Sequence, residues 1–167
     1  RAAHHRPEAE AAVDGRQRPT YAELDRRALA VASGFARLGV APGDRVLFAL
    51  KNRLEHVVAY WALQKLGAVA VPVNFRLAAN ELRYLLDDSG AKVTLYEDST
   101  AAPKLEATLG TSIRRVFVGD TAPAGTSLFA ELERGAGGAG ALEPPSEDDL
   151  SLILYTSGTT GRPKGVP

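Results

Sequence analysis

The part of the sequence best suited to chemistry lies near the end of the chain, in LILYTSGTTGRPKGV. Glycines there let backbone N–H groups approach an anion closely, because glycine has no Cβ and tolerates positive φ. Serine and threonine hydroxyls add neutral donors, and lysine adds a mobile positive charge. The residues that could supply such contacts are Thr156, Ser157, Gly158, Thr159, Thr160, Gly161 and Lys164. Composition alone leaves two interpretations open, a phosphate-binding loop and a hydrophilic surface loop.

Three better-known loops do not fit this stretch. A Walker A loop needs four residues between its glycines, whereas Gly158 and Gly161 are separated by two. The dinucleotide fingerprint needs an earlier glycine at a spacing that this sequence lacks. Ser157 does not lie in a G-x-S-x-G nucleophile elbow, and the sequence indicates no histidine partner for it. A P-loop kinase and a serine hydrolase are therefore disfavoured.

The elements that must position this loop alternate between strand and helix. Thr20 and Glu23 have the spacing of a capping box, and an apolar helical face follows at Leu24, Ala28, Val31, Phe35 and Leu38, with a stop at Gly39. Further helices are predicted at 54–67, 80–90 (capped by Asn80), 102–110 and 127–135. Strands are predicted within 42–50 and at 68–74, 92–98, 114–120 and 150–155. This alternation predicts an α/β domain with a largely parallel sheet.

Two segments of the chain are predicted to lie outside this alternation. Residues 11–21 read as a hairpin around an Asp14-Gly15 turn, because Asp-Gly is favoured in tight turns. Residues 135–149 are rich in glycine, proline and acids and are predicted to form a surface loop or linker. We predict no second domain within these residues.

Composition excludes several classes of function. The 20 basic and 20 acidic residues balance, so no charge footprint for nucleic acid or an anionic membrane exists. The chain has no cysteine, which excludes disulfides and thiolate chemistry, and no apolar stretch is long enough to span a bilayer. By default we expect a cytoplasmic location. The chain contains no methionine and begins at Arg1, so we expect it to be part of a longer protein.

Other candidate residues are better explained by ordinary structure. His4 and His5 are expected to be an exposed pair, and His56 a surface or half-buried helix residue. We predict no metal site. Asp87 and Asp88, considered with Asp98 as a metal cluster, are expected to be solvated at a helix end. Tyr60 and Trp61 point to different sides of a helix, and at least one is expected in the core rather than in a base-stacking platform.

The ordered motif, taken with its strand, resembles the signature phosphate loop of the adenylate-forming superfamily. That family includes acyl- and aryl-CoA synthetases, peptide-synthetase adenylation domains and firefly-type luciferases. Every position from 153 to 164 fits the family pattern. The stretches TYAELDRRALAVASGFARLGVAPGDRV and AYWALQKLGAVAVPVNFRLAANELRYLLDDSGAK also resemble earlier family segments. The resemblance covers essentially the whole chain and is less specific between about residues 98 and 147.

The resemblance implies an enzyme that uses ATP and Mg²⁺ to activate a small carboxylic acid and then passes the acyl group to CoA. It implies that Thr156, Ser157, Gly158, Thr159, Thr160 and Gly161 wrap the β- and γ-phosphates. Lys164 would pair with phosphate charge and help pyrophosphate leave, and Pro163 would stiffen the loop. Arg162 occupies a variable position of the motif and is interpreted as solvated charge.

The resemblance also implies a branch of the family and a boundary. VPVNFRL (71–77) favours a CoA ligase for a fatty or aromatic acid over a peptide-synthetase domain. Residues 1–167 would be a partial N-terminal domain that ends just after the loop motif (residues 153–165). The family's catalytic residues, its C-terminal domain and most nucleotide contacts would lie outside this chain, so we expect the chain alone to be inactive. Two alternatives remain: a non-catalytic binding module of this fold, and an adenylation domain that serves a carrier protein.

Overall fold

The computed structural model describes residues 2–97, 104, 106–108, 110–135, 145–146, 148–156 and 162–167. The helices are α1 (Ala2–His5), α2 (Tyr21–Arg37), α3 (Leu54–Leu66), α4 (Ala79–Ser89) and α5 (Phe129–Arg134). The strands are β1 (Arg45–Ala49), β2 (Val69–Pro72), β3 (Val93–Glu97), β4 (Arg114–Val118), β5 (Ser127–Leu128), β6 (Leu154–Thr156) and β7 (Lys164–Val166). Within these described residues, no helix is both long and apolar enough to cross a bilayer.

A five-stranded parallel sheet in the order β2-β1-β3-β4-β5 forms the centre of the fold. The chain passes from β1 through α3 to β2, then through α4 to β3 on the other side of β1. Parallel neighbours require such long crossovers, which helices normally supply. The prediction of an α/β fold with a largely parallel sheet is confirmed. The direction of sheet growth reverses between β1 and β3, a position where α/β folds commonly bind ligands.

Both faces of the sheet are buried, and β1 shows how alternation divides them. Val46 and Phe48 pack in the cluster that contains the apolar faces of α2, α3 and α5. Leu47 and Ala49 point to the opposite face and pack with the apolar side of α4. All four side chains are fully buried, as expected for a strand covered on two sides.

The predicted start of α2 is confirmed in atomic detail. The Thr20 hydroxyl accepts a hydrogen bond from the Glu23 N–H at 3.2 Å, and the Glu23 carboxylate accepts one from the Thr20 N–H at 2.8 Å. These reciprocal bonds satisfy donors that the first helical turn leaves unpaired. The predicted glycine stops after α3 and α4 are also present: Gly67 and Gly90 adopt φ of 69° and 61°, which favours glycine.

The N-terminal turn forms as predicted around Asp14 and Gly15, but continuous strands do not flank it. Two isolated antiparallel bridges, between Glu10 and Thr20 and between Asp14 and Gln17, replace a regular hairpin. The Asp14 carboxylate also accepts a hydrogen bond from the Leu54 N–H at 2.8 Å. The turn therefore caps α3, an element 40 residues further along the chain.

Three predicted boundaries are wrong. A strand is predicted at 150–155, but β6 covers only Leu154–Thr156, and Leu152 before it forms an isolated bridge with Ala70. α4 begins at Ala79 with Ala78 as its N-cap, so Asn80 lies inside the first turn. The Glu81 carboxylate accepts a hydrogen bond from the Ala78 N–H at 2.9 Å, so a residue within the helix supplies the cap. Residues 127–128 were predicted as helix but form β5, because they pair with Val116 and Phe117 of β4. For residues 127–128 a tertiary contact overrides the local pattern, whereas at α4 a local cap from Glu81 replaces the predicted cap from Asn80.

Other predictions fall partly outside the described residues. Of the predicted helix at 102–110, Lys104, Glu106 and Ala107 are described and helical. Most of the predicted linker at 135–149 and the candidate Asp98 lie outside the described residues.

Candidate functional site

The two ends of the loop motif lie side by side in an antiparallel pair of strands. β6 pairs with β7 so that Tyr155 faces Gly165 and Thr156 faces Lys164. Among the predicted site residues, the structure brings Thr156 and Lys164 together. Ser157, Gly158, Thr159, Thr160 and Gly161 lie outside the described residues.

The segment that leads into β6 is attached to the edge of the parallel sheet. Ala70 of β2 donates its N–H to the Ser151 carbonyl at 3.0 Å, and the Ile153 N–H donates to the Ala70 carbonyl at 2.9 Å. The bridge between Ala70 and Leu152 is parallel, so the chain enters β6 in the same direction as β2. Parallel α/β sheets generally hold their ligands outside the carboxyl ends of the strands.

Helix α4 contacts both ends of the loop motif through two side chains. The Tyr155 hydroxyl donates to the Asp88 carboxylate at 2.6 Å, which ties β6 to the end of the helix. The Tyr84 hydroxyl donates to the Pro163 carbonyl at 3.0 Å, immediately before β7. The Arg162 guanidinium lies over the Tyr84 ring, 5.2 Å from its centroid. Burial and the neighbouring Asp88 carboxylate raise the pKa of Tyr155, so its hydroxyl stays a neutral donor at physiological pH.

Thr156 and Lys164 are both exposed at the mouth of this pair of strands. Within the described part of the chain, no carboxylate forms an ion pair with Lys164, although seven other basic side chains have such partners. An exposed lysine opposite a hydroxyl is suited to a ligand that carries negative charge. A cation and a hydroxyl on adjacent strands therefore suit an anionic ligand better than a cationic or apolar one.

A divalent cation would need acidic ligands, and the described residues contain no group of three or more His, Asp or Glu side chains able to hold one. Asp87 instead accepts from Arg83 one helical turn earlier, at 3.1 Å. Asp88 is exposed, as predicted, and its carboxylate also accepts a hydrogen bond from the Tyr155 hydroxyl. His4 and His5 are exposed and His56 is half-buried, as expected.

A second charged cluster lies at the carboxyl ends of β1 and β3, where the sheet reverses direction. The Glu97 carboxylate is buried and pairs with Arg53 at 3.0 Å and with Lys51 at 3.8 Å. Arg53 also pairs with Glu55 at 2.7 Å, and these hydrogen bonds raise the pKa of its guanidinium. The cluster borders a cleft of about 550 Å³. Because these charges neutralise one another, they favour a structural role over anion binding.

Sequence reasoning found the loop motif but missed what holds it. Tyr84 was not singled out, and Asp88 was interpreted as solvated surface only. Their spacing of four residues places them on one face of α4, and that signal was available in the sequence. It does not indicate which strand packs there, however, because that depends on the sheet order. Tyr60 packs against the core as expected, whereas Trp61 is 49% exposed in a groove beside α2.

Comparison with known proteins places these features in context. The whole chain, residues 1–167, matches a family model described as AMP-binding enzyme. The chain is 42% identical over 149 residues to the long-chain-fatty-acid–CoA ligase FadD13 of Mycobacterium tuberculosis, covering 89% of this chain and 29% of that protein. It is 39% identical over 164 residues to a feruloyl-CoA synthase of Amycolatopsis sp, covering 96% of this chain and 30% of that protein.

A solved structure gives the same picture at the level of the fold. The crystal structure of the anthranilate CoA ligase AuaEII in complex with anthranoyl-AMP superposes with a TM-score of 0.87 at 26% identity. It covers 95% of this chain and 31% of that one. The chain thus spans only 29% and 30% of the length of the two curated relatives described above.

Proposed function

This chain belongs to the AMP-binding enzyme family, and from that premise we propose that it is the first part of the N-terminal domain of an AMP-forming acid–CoA ligase. One observation carries the proposal. In a chain that matches the family throughout, Thr156 and Lys164 face each other across β6 and β7, and no carboxylate among the described residues forms an ion pair with Lys164. The remainder of the proposed protein would supply the other nucleotide contacts, the acid pocket and the C-terminal domain.

The substrate chemistry demands a site for negative charge. When a carboxylate attacks the α-phosphate of ATP, charge builds on oxygens that must be held and neutralised. In this proposal Thr156 and the residues Ser157, Gly158, Thr159, Thr160 and Gly161 donate hydrogen bonds to the β- and γ-phosphates. Lys164 neutralises phosphate charge as pyrophosphate leaves. Mg²⁺ would lower the charge repulsion further when bound, held by the phosphates and by an acidic residue outside this chain.

The acid is proposed to be a fatty or aromatic carboxylate, and the acyl acceptor to be CoA. The names of the relatives support this choice, since they include a long-chain-fatty-acid–CoA ligase and a feruloyl-CoA synthase. A carrier protein is the alternative acceptor, and a non-catalytic nucleotide-binding module is the alternative for the whole protein. We also propose a cytoplasmic location, where ATP and CoA are available.

The test compares the intact protein with variants at two neighbouring cations. Lys164→Met should lower acid-dependent ATP–pyrophosphate exchange by about 10²–10³-fold, a loss typical when a group that stabilises transition-state charge is removed. Arg162→Met is the matched control, because Arg162 lies two residues away in the same motif. It should stay within about threefold of wild type, since an exposed charge contributes little.

The acids and acceptors are then separated by product analysis. Fatty and aromatic acids should yield acyl-CoA with the intact protein, whereas the 167-residue chain alone should show no exchange above background. Nucleotide binding by the intact protein without exchange for any acid would favour the non-catalytic module. Exchange without acyl-CoA formation would favour a carrier protein as the acceptor. Equal effects of Lys164→Met and Arg162→Met would remove Lys164 from its proposed role.

A further inference from the structure

The loop motif is held at both ends by one rigid element. The Asp88 carboxylate accepts a hydrogen bond from the hydroxyl of Tyr155 in β6. The Tyr84 hydroxyl donates one to the carbonyl of Pro163, just before β7. Tyr84 and Asp88 lie four residues apart and so share a face of α4. We call these two side chains the α4 brace.

The strands themselves provide little rigidity. β6 and β7 contain three residues each, and a two-stranded pair of this length is marginal in water. Their backbone link to the sheet, among the described residues, is the single bridge between Ala70 and Leu152, just before β6. Without further contacts, the direction in which the loop motif leaves the sheet would be poorly fixed.

Helix α4, in contrast, is firmly attached to the core. Leu82, Leu85 and Leu86 are buried against Leu47, Ala49 and Val71 of the sheet. The two hydrogen bonds between α4 and the β6/β7 pair therefore connect the ends of the loop motif to a helix that is anchored in the core. Ile153 and Tyr155 pack against the same apolar cluster, which aligns β6 with the helix.

We propose that Tyr84 and Asp88 are positioning residues that hold Thr156 and Lys164, the two described residues that face each other across β6 and β7, ready for the polyphosphate of a nucleoside triphosphate. The inference rests on the proposed function for its ligand. Tyr84 fixes the Pro163 carbonyl directly before Lys164, and so fixes the position of the Lys164 backbone. Asp88 fixes the residue that directly precedes Thr156. Neither side chain need touch the nucleotide; both act through the two residues that face each other across the pair of strands.

The brace predicts a specific kinetic pattern in the intact protein. Loss of one hydrogen bond should raise the KM for MgATP about three- to tenfold in Tyr84→Phe and in Asp88→Ala, because binding must then fix the positions of Thr156 and Lys164. The KM for the acid should not change, since neither hydrogen bond is proposed to position the acid. Asp88→Asn keeps an acceptor for the Tyr155 hydroxyl and should restore most of the affinity. Tyr21→Phe, on the opposite side of the sheet, is the matched control and should behave as wild type.

Proteolysis provides a second readout that does not require activity. Trypsin can cut after Lys164, whereas the bond after Arg162 is resistant because proline follows it. Cleavage after Lys164 requires β6 and β7 to separate. Mass spectrometry should detect this product several-fold faster in Tyr84→Phe and Asp88→Ala than in wild type, Asp88→Asn or Tyr21→Phe.

The possible outcomes separate the two proposals. Unchanged cleavage and unchanged KM for MgATP in both brace variants would overturn the positioning role. A lowered melting temperature with reduced kcat but unchanged KM would also overturn it, because that result indicates only general destabilisation. If the wild-type protein shows no acid-dependent exchange, the proposed function fails, and the cleavage rates still decide whether α4 holds the loop motif.

Discussion

At the scale of single residues, Gly165 is constrained by its neighbours rather than by its own backbone. A Cβ built on Gly165 would lie 2.9 Å from Ile153 Cγ2 and 3.3 Å from Tyr155 Cζ. Gly165→Ala should therefore displace the Tyr155 ring and weaken its bond to Asp88. We expect a loss of about 1–3 kcal/mol in the free energy of unfolding, as for other overpacked positions. Chemical denaturation of the variant measures this loss.

A double variant tests the steric explanation. Ile153→Ala removes the nearer of the two atoms, so Gly165→Ala combined with Ile153→Ala should cost less than the sum of the single changes. Additive losses would show that the contact with Ile153 is not the cause.

Asp44 makes the stability depend on pH in a defined direction. Burial disfavours its charge, but hydrogen bonds from Lys92 Nζ and the Ala41 N–H, both 2.8 Å long, outweigh that effect and lower the pKa of Asp44. A lowered folded-state pKa stabilises the fold above the unfolded value of about 3.9. This contribution is lost as the pH falls below that value and through the lower pKa of the folded state.

The variant Asp44→Asn should make this contribution visible. We expect it to reduce the free energy of unfolding by about 1 kcal/mol between pH 5 and 8, because the charge on the Lys92 partner is no longer matched. The two proteins should converge as the pH falls through the lowered pKa of Asp44 in the folded state. Urea denaturation across this pH range measures the difference, and a gap that persists at the acidic end would contradict the assignment to Asp44.

The sequence predicted residue chemistry better than residue contacts. The donor capacity of the ordered hydroxyls, glycines and Lys164 could be predicted because it is a property of the residues themselves, and their role as a phosphate site stays a prediction. The roles of Tyr84 and Asp88 could not, because each depends on a partner about 70 to 80 residues away. Only the folded chain brings α4 against the loop motif.

At the scale of elements, local signals were reliable where local contacts decide the structure. The capping box of α2 and the glycine stops of α3 and α4 involve residues within a few positions of one another. The boundaries that failed involve competing signals: Glu81 supplies the cap of α4 in place of Asn80, and β4 pairs with residues 127–128.

The start of α3 depends on a distant cap. Arg53 occupies its N-cap position without a side-chain hydrogen bond to the helix, and Asp14 supplies the acceptor for the Leu54 N–H instead. Asp14→Ala should lower the free energy of unfolding by about 1 kcal/mol, the usual value of an N-cap. Asp14→Asn keeps an oxygen acceptor and serves as the control, with a smaller loss. Thermal unfolding by circular dichroism distinguishes the two, and equal losses would indicate that charge rather than capping matters.

At the scale of the whole molecule, the fold class followed from the sequence but the strand order did not. Alternating strands and helices allow several parallel arrangements, and nothing local specifies that β3 lies beside β1 rather than β2. That placement brings α4 to the face that holds the loop motif, so the geometry of the site is a consequence of topology.

The strand pair that carries the loop motif leaves apolar surface uncovered. Leu154 and Val166 are each 49% exposed and Leu150 is 43% exposed, beside a cleft that Leu152 and Pro167 also line. In the proposed longer enzyme, further segments of the domain would cover this face. In the isolated 167-residue chain, the same face should promote self-association, because contiguous exposed apolar surface is unfavourable in water.

A change of polarity on this face should therefore have opposite effects in the two contexts. In the isolated chain, Leu154→Gln with Val166→Gln should shift light-scattering mass toward the 17.7 kDa monomer, whereas Val13→Gln, at a lone residue that is 54% exposed, should not. In the intact protein, the double variant should lower the melting temperature, because two buried apolar side chains are then replaced by unpaired amides. An isolated chain that is already monomeric, or an intact protein that tolerates both changes, would show that this face is a true surface of the molecule.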